Sequence, residues 1–473
     1  MSETREPDGM NRRVFLQRAA LLAGAVAAGA TLAGTHVPRT PEAFEVYGTA
    51  RPQPVARNPL YVPPTVPPRA LSLTEAPAVV DLGGGRTSSA WTYNGLMPGP
   101  TILAARGDAA SIHLLNGLTK ETITHWHGMI VDDQNDGHPR FAIPPGGAFP
   151  YAFTINQRAA MNWYHPHPHM LTGEQVALGL AGAFIVTDTE EAVLGLPSGV
   201  HEVPLVVRDA SFDKSGNLIY RPRSGGFLGN TPLVNGTLNP KLDVDTARYR
   251  FRMLNGANSR IFGLVLSSGA PFTLIGNDGG LLEAAFSLPR VEIGPGERLD
   301  LIVDFRGLQV GDRVMLRDAR SDWDLLEFVV AGAGNDTGST PTALSTILPL
   351  SNPVRTRHFQ FEAMSKINGL EYEIGRIDFQ VPFGETELWR FSTKGNAPHP
   401  VHVHGASFQV QSRTGGREQV YPWERGWKDT VLLEDGETVE VLIRFDAFRG
   451  IYLLHCHKLE HEDMGMMSNF KVV

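Results

Sequence analysis

Three stretches of this chain repeat one pattern of apolar and polar positions. GGAFPYAFTI from Gly146, GERLDLIVDF from Gly296 and GETVEVLIRF from Gly436 each open on a turn and continue into an alternating apolar strand. The copies lie at offsets of roughly 150 and 140 residues, which predicts three similar β domains. A second set of strings agrees: GDAASIHLLNG at Gly107, ARYRFRMLNG at Ala247 and ETELWRFSTKG at Glu385 hold the same place in each repeat. The pattern predicts an all-β chain of three consecutive Greek-key β-sandwich domains, spanning 69–190, 200–333 and 352–473. Asp336 to Ser345, rich in Gly, Ser and Thr, is the expected connector between the last two.

The N-terminus breaks the pattern. Arg12 and Arg13 precede an alanine-rich apolar run from Ala19 to Ala33, which resembles a twin-arginine export signal. The run is shorter and more weakly apolar than the ~20 residues a membrane-spanning helix needs. Residues 1–38 are therefore expected to be a cleaved signal, read by the twin-arginine translocation machinery, leaving no stable membrane anchor. The destination is the periplasm or the cell exterior. Residues 39–68 carry Pro63-Pro64 and Pro67-Pro68 and predict an extended arm rather than a helix or a central strand.

Composition narrows the class. A chain of 473 residues with 50 Gly and 34 Pro suits a turn-rich β architecture of three domains. With one cysteine, Cys456, no internal disulfide can form, and an unpaired thiol in an exported protein calls for another role. The net charge of −8 comes without a recurrent basic patch, so nucleic acid is not an expected partner. A mildly anionic surface favours neutral or cationic small molecules.

The candidate chemistry is histidine. Four His-x-His pairs, His125/His127, His165/His167, His402/His404 and His455/His457, are spread over the first and third repeats. On a strand, residues i and i+2 face the same way, so each pair offers two ligands together. In His455-Cys456-His457 the same alternation sends the thiolate to one side and both imidazoles to the other, so one tripeptide can join two metal sites. His399, Cys456, His461 and a weak ligand at Met466 make up a blue-copper set. Ten of the sixteen histidines fall in these positions, leaving His36, His113, His138, His169, His201 and His358 as ordinary residues. Zinc also takes imidazole and thiolate, but a structural zinc site wants four ligands and no partner cysteines exist. Because the motifs occur only in the first and third repeats, the metal cluster belongs where those domains meet. The middle domain is expected to be a spacer.

The strings HWHG, WYHPH, HPVHVHG and HCHKLEHEDMGMM, with YNGLMPGPTI at Tyr93 to Ile102, resemble the ligand motifs of the multicopper oxidases. The likeness is to the laccase-like and copper-efflux oxidases of bacteria, and it runs from about Leu71 to the C-terminus. It implies three cupredoxin domains and four copper ions. His399, Cys456, His461 and axial Met466 resemble the type 1 site, and His125 and His402 the type 2 ligands. The type 3 pair resembles His127, His165 and His457 on one copper and His167, His404 and His455 on the other. The implied activity is one-electron oxidation of a reducing substrate coupled to four-electron reduction of dioxygen to water. Electrons would pass from Cys456 through His455 and His457.

Reduction of dioxygen also needs protons, for which Asp136 and Glu462 are the candidates; both resemble acidic residues of the efflux oxidases. The efflux oxidases bind cuprous ions through a methionine-rich insert and through Asp and Met before the third motif. Here Gly395 and Ala397 hold those places, and Ser321 to Ser365 contains only Met364. A phenol or aromatic amine at an open edge near His461, lined by Trp423 and Trp427, is the expected donor. Cuprous-ion oxidation in copper tolerance is the alternative. A non-enzymatic scaffold of cell division is the alternative from another class, and such proteins lack most ligand positions. One chain carries both halves of the cluster, so a monomer suffices.

Overall fold

The computed structural model describes residues 56–223, 225–393 and 398–473, which fall within one unit. The twin-arginine segment and the arm up to residue 55 lie outside the described residues, as do Gly395 and Ala397. Among the described residues no helix is long and apolar enough to cross a membrane.

The repeated strings become paired strands. Ala109–Asn116 pairs antiparallel with Ala148–Thr154, Arg248–Asn255 with Arg298–Asp304, and Thr386–Thr393 with Thr438–Arg444. The same hydrogen-bonded unit thus recurs three times, each in one sheet of a cupredoxin-like β-sandwich. Between the two sheets of each sandwich, alternate apolar side chains close a core: Trp126, Tyr151 and Phe184 in the first, Phe251, Leu301 and Phe328 in the second, Trp389, Val441 and Phe470 in the third.

The sheets are mixed rather than purely antiparallel. Leu71–Asp81 runs parallel to Ala109–Asn116, and Thr101–Ala105 parallel to Gly182–Thr187; the other two sandwiches repeat both pairings. Long crossover connections bring these strands together, and strand periodicity carries no sign of them. The described part of the arm is extended, as its prolines dictate. Asn58–Pro59 pairs with Pro240–Asp245 of the second sandwich, and Thr65–Val66 with Thr101–Ala105 of the first.

Candidate metal centre

Strand register assembles the histidines. In the first sandwich Thr124–His127 pairs with Ala160–Pro166, setting His125 opposite His165. In the third, His399–Val403 pairs with Gly450–Cys456, setting His402 opposite His455 and Val401 opposite Cys456. The two ligand-bearing faces meet: His125 stacks on His404 at 3.8 Å between ring centres and His127 on His402 at 3.7 Å. All eight imidazoles are buried.

For His125, His127, His165, His402 and His455, hydrogen bonds settle which nitrogen is left free, since a carbonyl or carboxylate can only accept. Nδ1–H of His125 donates to the Asp136 carbonyl at 2.5 Å, that of His402 to the Asp429 carbonyl at 2.9 Å, that of His165 to the Pro166 carbonyl at 2.8 Å and that of His455 to the Cys456 carbonyl at 3.2 Å. Their Nε2 atoms are left with lone pairs. These lone pairs converge: His125 and His402 Nε2 are 3.4 Å apart, His404 and His455 Nε2 3.1 Å, and His167 and His455 Nε2 3.4 Å. His127 is reversed. Its Nε2–H donates to Asp429 Oδ1 at 3.1 Å, leaving a buried Nδ1 without a partner. Burial first, then the neighbouring imidazoles, hold His125, His127, His404 and His457 well below the ordinary histidine range. Neutral acceptors facing one another in a dry site suit a cation held between them, so these residues fit a bound metal ion.

A second constellation lies on the other face of the same strand. His399 Nδ1 is 3.3 Å from Cys456 Sγ and 3.2 Å from His461 Nδ1, and Cys456 Sγ is 3.7 Å from His461 Nδ1. This triangle suits a trigonal His₂Cys copper site. Burial pushes the Cys456 thiol up to about 12, so it keeps its proton until a metal ion displaces it. Met466 shares the buried core with Cys456, and its carbonyl accepts the Cys456 N–H, whereas Met464 is exposed and Met467 packs elsewhere, with Tyr372 and Leu453.

Comparison with known proteins agrees. Two family models, both described as multicopper oxidase, match residues 76–191 and 340–473. The chain is 34% identical over 398 residues to a multicopper oxidase of Staphylococcus haemolyticus, covering 80% of this chain and 83% of that one. The chain belongs to the multicopper oxidase family. A laccase of Bacillus subtilis is 31% identical, with 80% and 89% covered, and the cell division protein FtsP of Dickeya dadantii is 32% identical, with 87% and 92% covered. The crystal structure of the McoA multicopper oxidase of Aquifex aeolicus superposes with a TM-score of 0.84 at 33% identity, covering 88% of this chain and all of that one.

In this multicopper oxidase the acidic residues around the cluster divide their work. Asp136, fully buried, accepts His404 Nδ1–H on Oδ2 at 2.7 Å and lies 3.5 Å from His125 Nδ1; burial pushes its carboxyl well above the usual range. Glu462 Oε1 is 3.4 Å from His167 Nδ1 and Oε2 is 3.3 Å from His455 Nδ1. Every ligand candidate in the group His167, His404 and His455 is therefore backed by one of these two carboxylates. Asp463 turns away. It accepts the N–H groups of Thr172 and Gly173, and Glu460 three residues earlier accepts from Asn258, Ser259 and Tyr220 of the middle sandwich. Sequence spacing gave no signal for Asp429, which bonds His127 through its side chain and His402 through its carbonyl.

Among the described residues the expected open edge at His461 is not seen: His461 is buried and its Nε2 has no hydrogen-bond partner, and the helix Leu459–Asp463 that carries it is docked by Glu460 and Asp463 onto the other two sandwiches. Nor do the tryptophans frame such an edge. Trp423 stacks on Tyr421 beside the core of the middle sandwich, while Trp427 lines a cavity of about 410 Å³ with Gly128, Asn162, Asp278, Gly279 and Gly405. That cavity lies on the side of His125 and His402: a smaller pocket lined by both histidines shares Gly128 and Gly405 with it. Buried His138 accepts from the Arg140 N–H on Nδ1 and pairs with Asn469 through Nε2.

Proposed function

We propose that this chain is a laccase-like oxidase that removes single electrons from a phenol or aromatic amine and reduces dioxygen to water, using four copper ions. The observation that carries the reading is the tripeptide His455-Cys456-His457, whose thiol belongs to one buried ligand set and whose imidazoles belong to the other. Bound copper would supply the redox chemistry. His399, Cys456, His461 and Met466 would hold the ion that takes electrons; His125 and His402 a second; His127, His165 and His457, and His167, His404 and His455, the coupled pair.

The protein's own part is orientation, exclusion of water and proton supply. Carbonyls and carboxylates fix His125, His127, His165, His402, His404 and His455 with a lone pair inward, and burial keeps the cluster dry. Asp136 and Glu462 lie one hydrogen bond behind the ligands, within water-bridged reach of the place where dioxygen is reduced. Four electrons and four protons are needed per dioxygen to form two waters, so proton delivery has to keep step with electron entry. The full ligand set speaks against a copper-free scaffold. In keeping with the N-terminal sequence, the enzyme is exported by the twin-arginine route and acts as a monomer in the periplasm or outside the cell.

No methionine-rich insert occurs between Ser321 and Ser365, which favours an organic donor over cuprous ion. Steady-state oxygen uptake with a phenol, an aromatic amine, bilirubin, manganous ion and cuprous ion, on one copper-loaded preparation, should rank the phenol and amine first in kcat/KM. Cuprous ion ranking first would transfer the function to copper tolerance.

A further inference from the structure

The middle sandwich contributes no imidazole to the cluster, yet it reaches into it. Arg298, the first residue of the strand Arg298–Asp304, is fully buried. The repeat places Ala148 and Thr438 at the matching positions of the other two sandwiches, so the arginine is peculiar to the middle one. Its guanidinium touches all three. Nε–H donates to the Met161 carbonyl at 3.0 Å, on the strand that carries His165, and one terminal nitrogen donates to the Gly296 carbonyl of its own sandwich at 2.9 Å. Both terminal nitrogens grip the Asp429 carboxylate of the third sandwich, one at 2.7 Å. Such a two-point hold fixes the carboxylate in orientation as well as in place.

That orientation matters because Asp429 accepts from the reversed His127 ring, both directly and behind the Thr430 hydroxyl that lies 3.0 Å from the same Nε2. Asp429 Oδ1 takes the Nε2–H of His127 at 3.1 Å and the Thr430 hydroxyl at 2.8 Å, while its carbonyl takes Nδ1–H of His402. Two glycines show how closely the parts are fitted. A Cβ on Gly128, the last residue of HWHG, would lie 2.6 Å from an Arg298 terminal nitrogen. A Cβ on Gly296 would lie 3.0 Å from His457 and 3.1 Å from His127, so the turn leading into Arg298 forms part of the cluster's wall.

We propose that Arg298 is a positioning residue of the oxygen-reducing site, acting through Asp429 to hold His127 with Nδ1 toward the cluster. The middle domain is then a working part of the site. The proposal rests on the eight histidines being copper ligands.

Arg298→Lys, Arg298→Met and Asp429→Asn, each copper-loaded, test it by copper content, visible absorption and electron paramagnetic resonance. Thermal unfolding of the copper-free proteins reports the fold. All three variants should keep the wild-type blue band. Arg298→Met and Asp429→Asn should change the type 2 hyperfine splitting and the near-ultraviolet band of the coupled pair, with loss of copper from these sites. Oxygen-dependent turnover should fall about 10–100-fold, as for other groups that orient metal-bound histidines. Arg298→Lys, which keeps the charge but not the fork, should fall between. Unaltered type 2 and near-ultraviolet signals in Arg298→Met and Asp429→Asn would overturn the proposal. So would loss of the blue band together with the others in Arg298→Lys, since that marks a general fold residue. A wild type lacking type 2 and coupled-pair signals would instead overturn the copper reading on which the proposal stands.

Discussion

Cys456→Ser should give a colourless protein without oxidase activity that still binds copper at the histidine cluster. Cys456 is the only thiol of the chain and it is buried between His399 and His461, so no other residue can supply the ligand-to-metal charge transfer that colours a copper thiolate. Serine preserves the packing almost atom for atom, yet its hydroxyl does not give up its proton to copper near neutral pH. His125 and His402 keep their Nδ1 hydrogen bonds to the Asp136 and Asp429 carbonyls, so type 2 resonance should persist while turnover with any donor falls to background. Absorption spectra and copper analysis of the purified variant check this. A variant that remains blue would end the assignment of Cys456.

The second large effect separates proton supply from electron entry. Asp136→Asn and Glu462→Gln should retain the full copper content and the blue band, and a donor should reduce the blue site as fast as in wild type. Reoxidation by dioxygen should slow by roughly 10²–10⁴, the usual worth of a positioned acid or base, and a solvent isotope effect should appear in that step. Neither carboxylate is a metal ligand candidate, and both are essentially inaccessible to solvent, so bulk water cannot readily replace them. Asp463→Asn is the control. That carboxylate receives the Thr172 and Gly173 N–H groups, so its loss should lower thermal stability with little change in reoxidation. If both Asp136→Asn and Glu462→Gln reoxidise at the wild-type rate, protons reach the cluster by water alone.

Much of this site is legible in the sequence because strand geometry is local. Alternation along Thr124–His127 or Gly450–Cys456 decides which side chains share a face, and the repeated apolar strings decide which strands pair. What alternation cannot give is a contact made across the molecule. Asp429 and Arg298 are 131 residues apart and join through a guanidinium that follows no periodicity. The covered face of His461 is of the same kind, for it depends on Glu460 meeting Asn258 in another sandwich. Asp136 and Glu462 fall between these cases: the family resemblance marks them in the sequence, while their aim at His404, and at His167 and His455, is visible only in the fold.

We propose that one thiolate site feeds a histidine cluster that carries dioxygen to water. The stoichiometry of turnover tests it most directly. With the copper-loaded enzyme and an excess of a one-electron phenol donor, four equivalents of donor should be oxidised for each dioxygen consumed, with no hydrogen peroxide detectable. Two equivalents per dioxygen with peroxide accumulating in step, or donor oxidation that consumes no dioxygen, would contradict it.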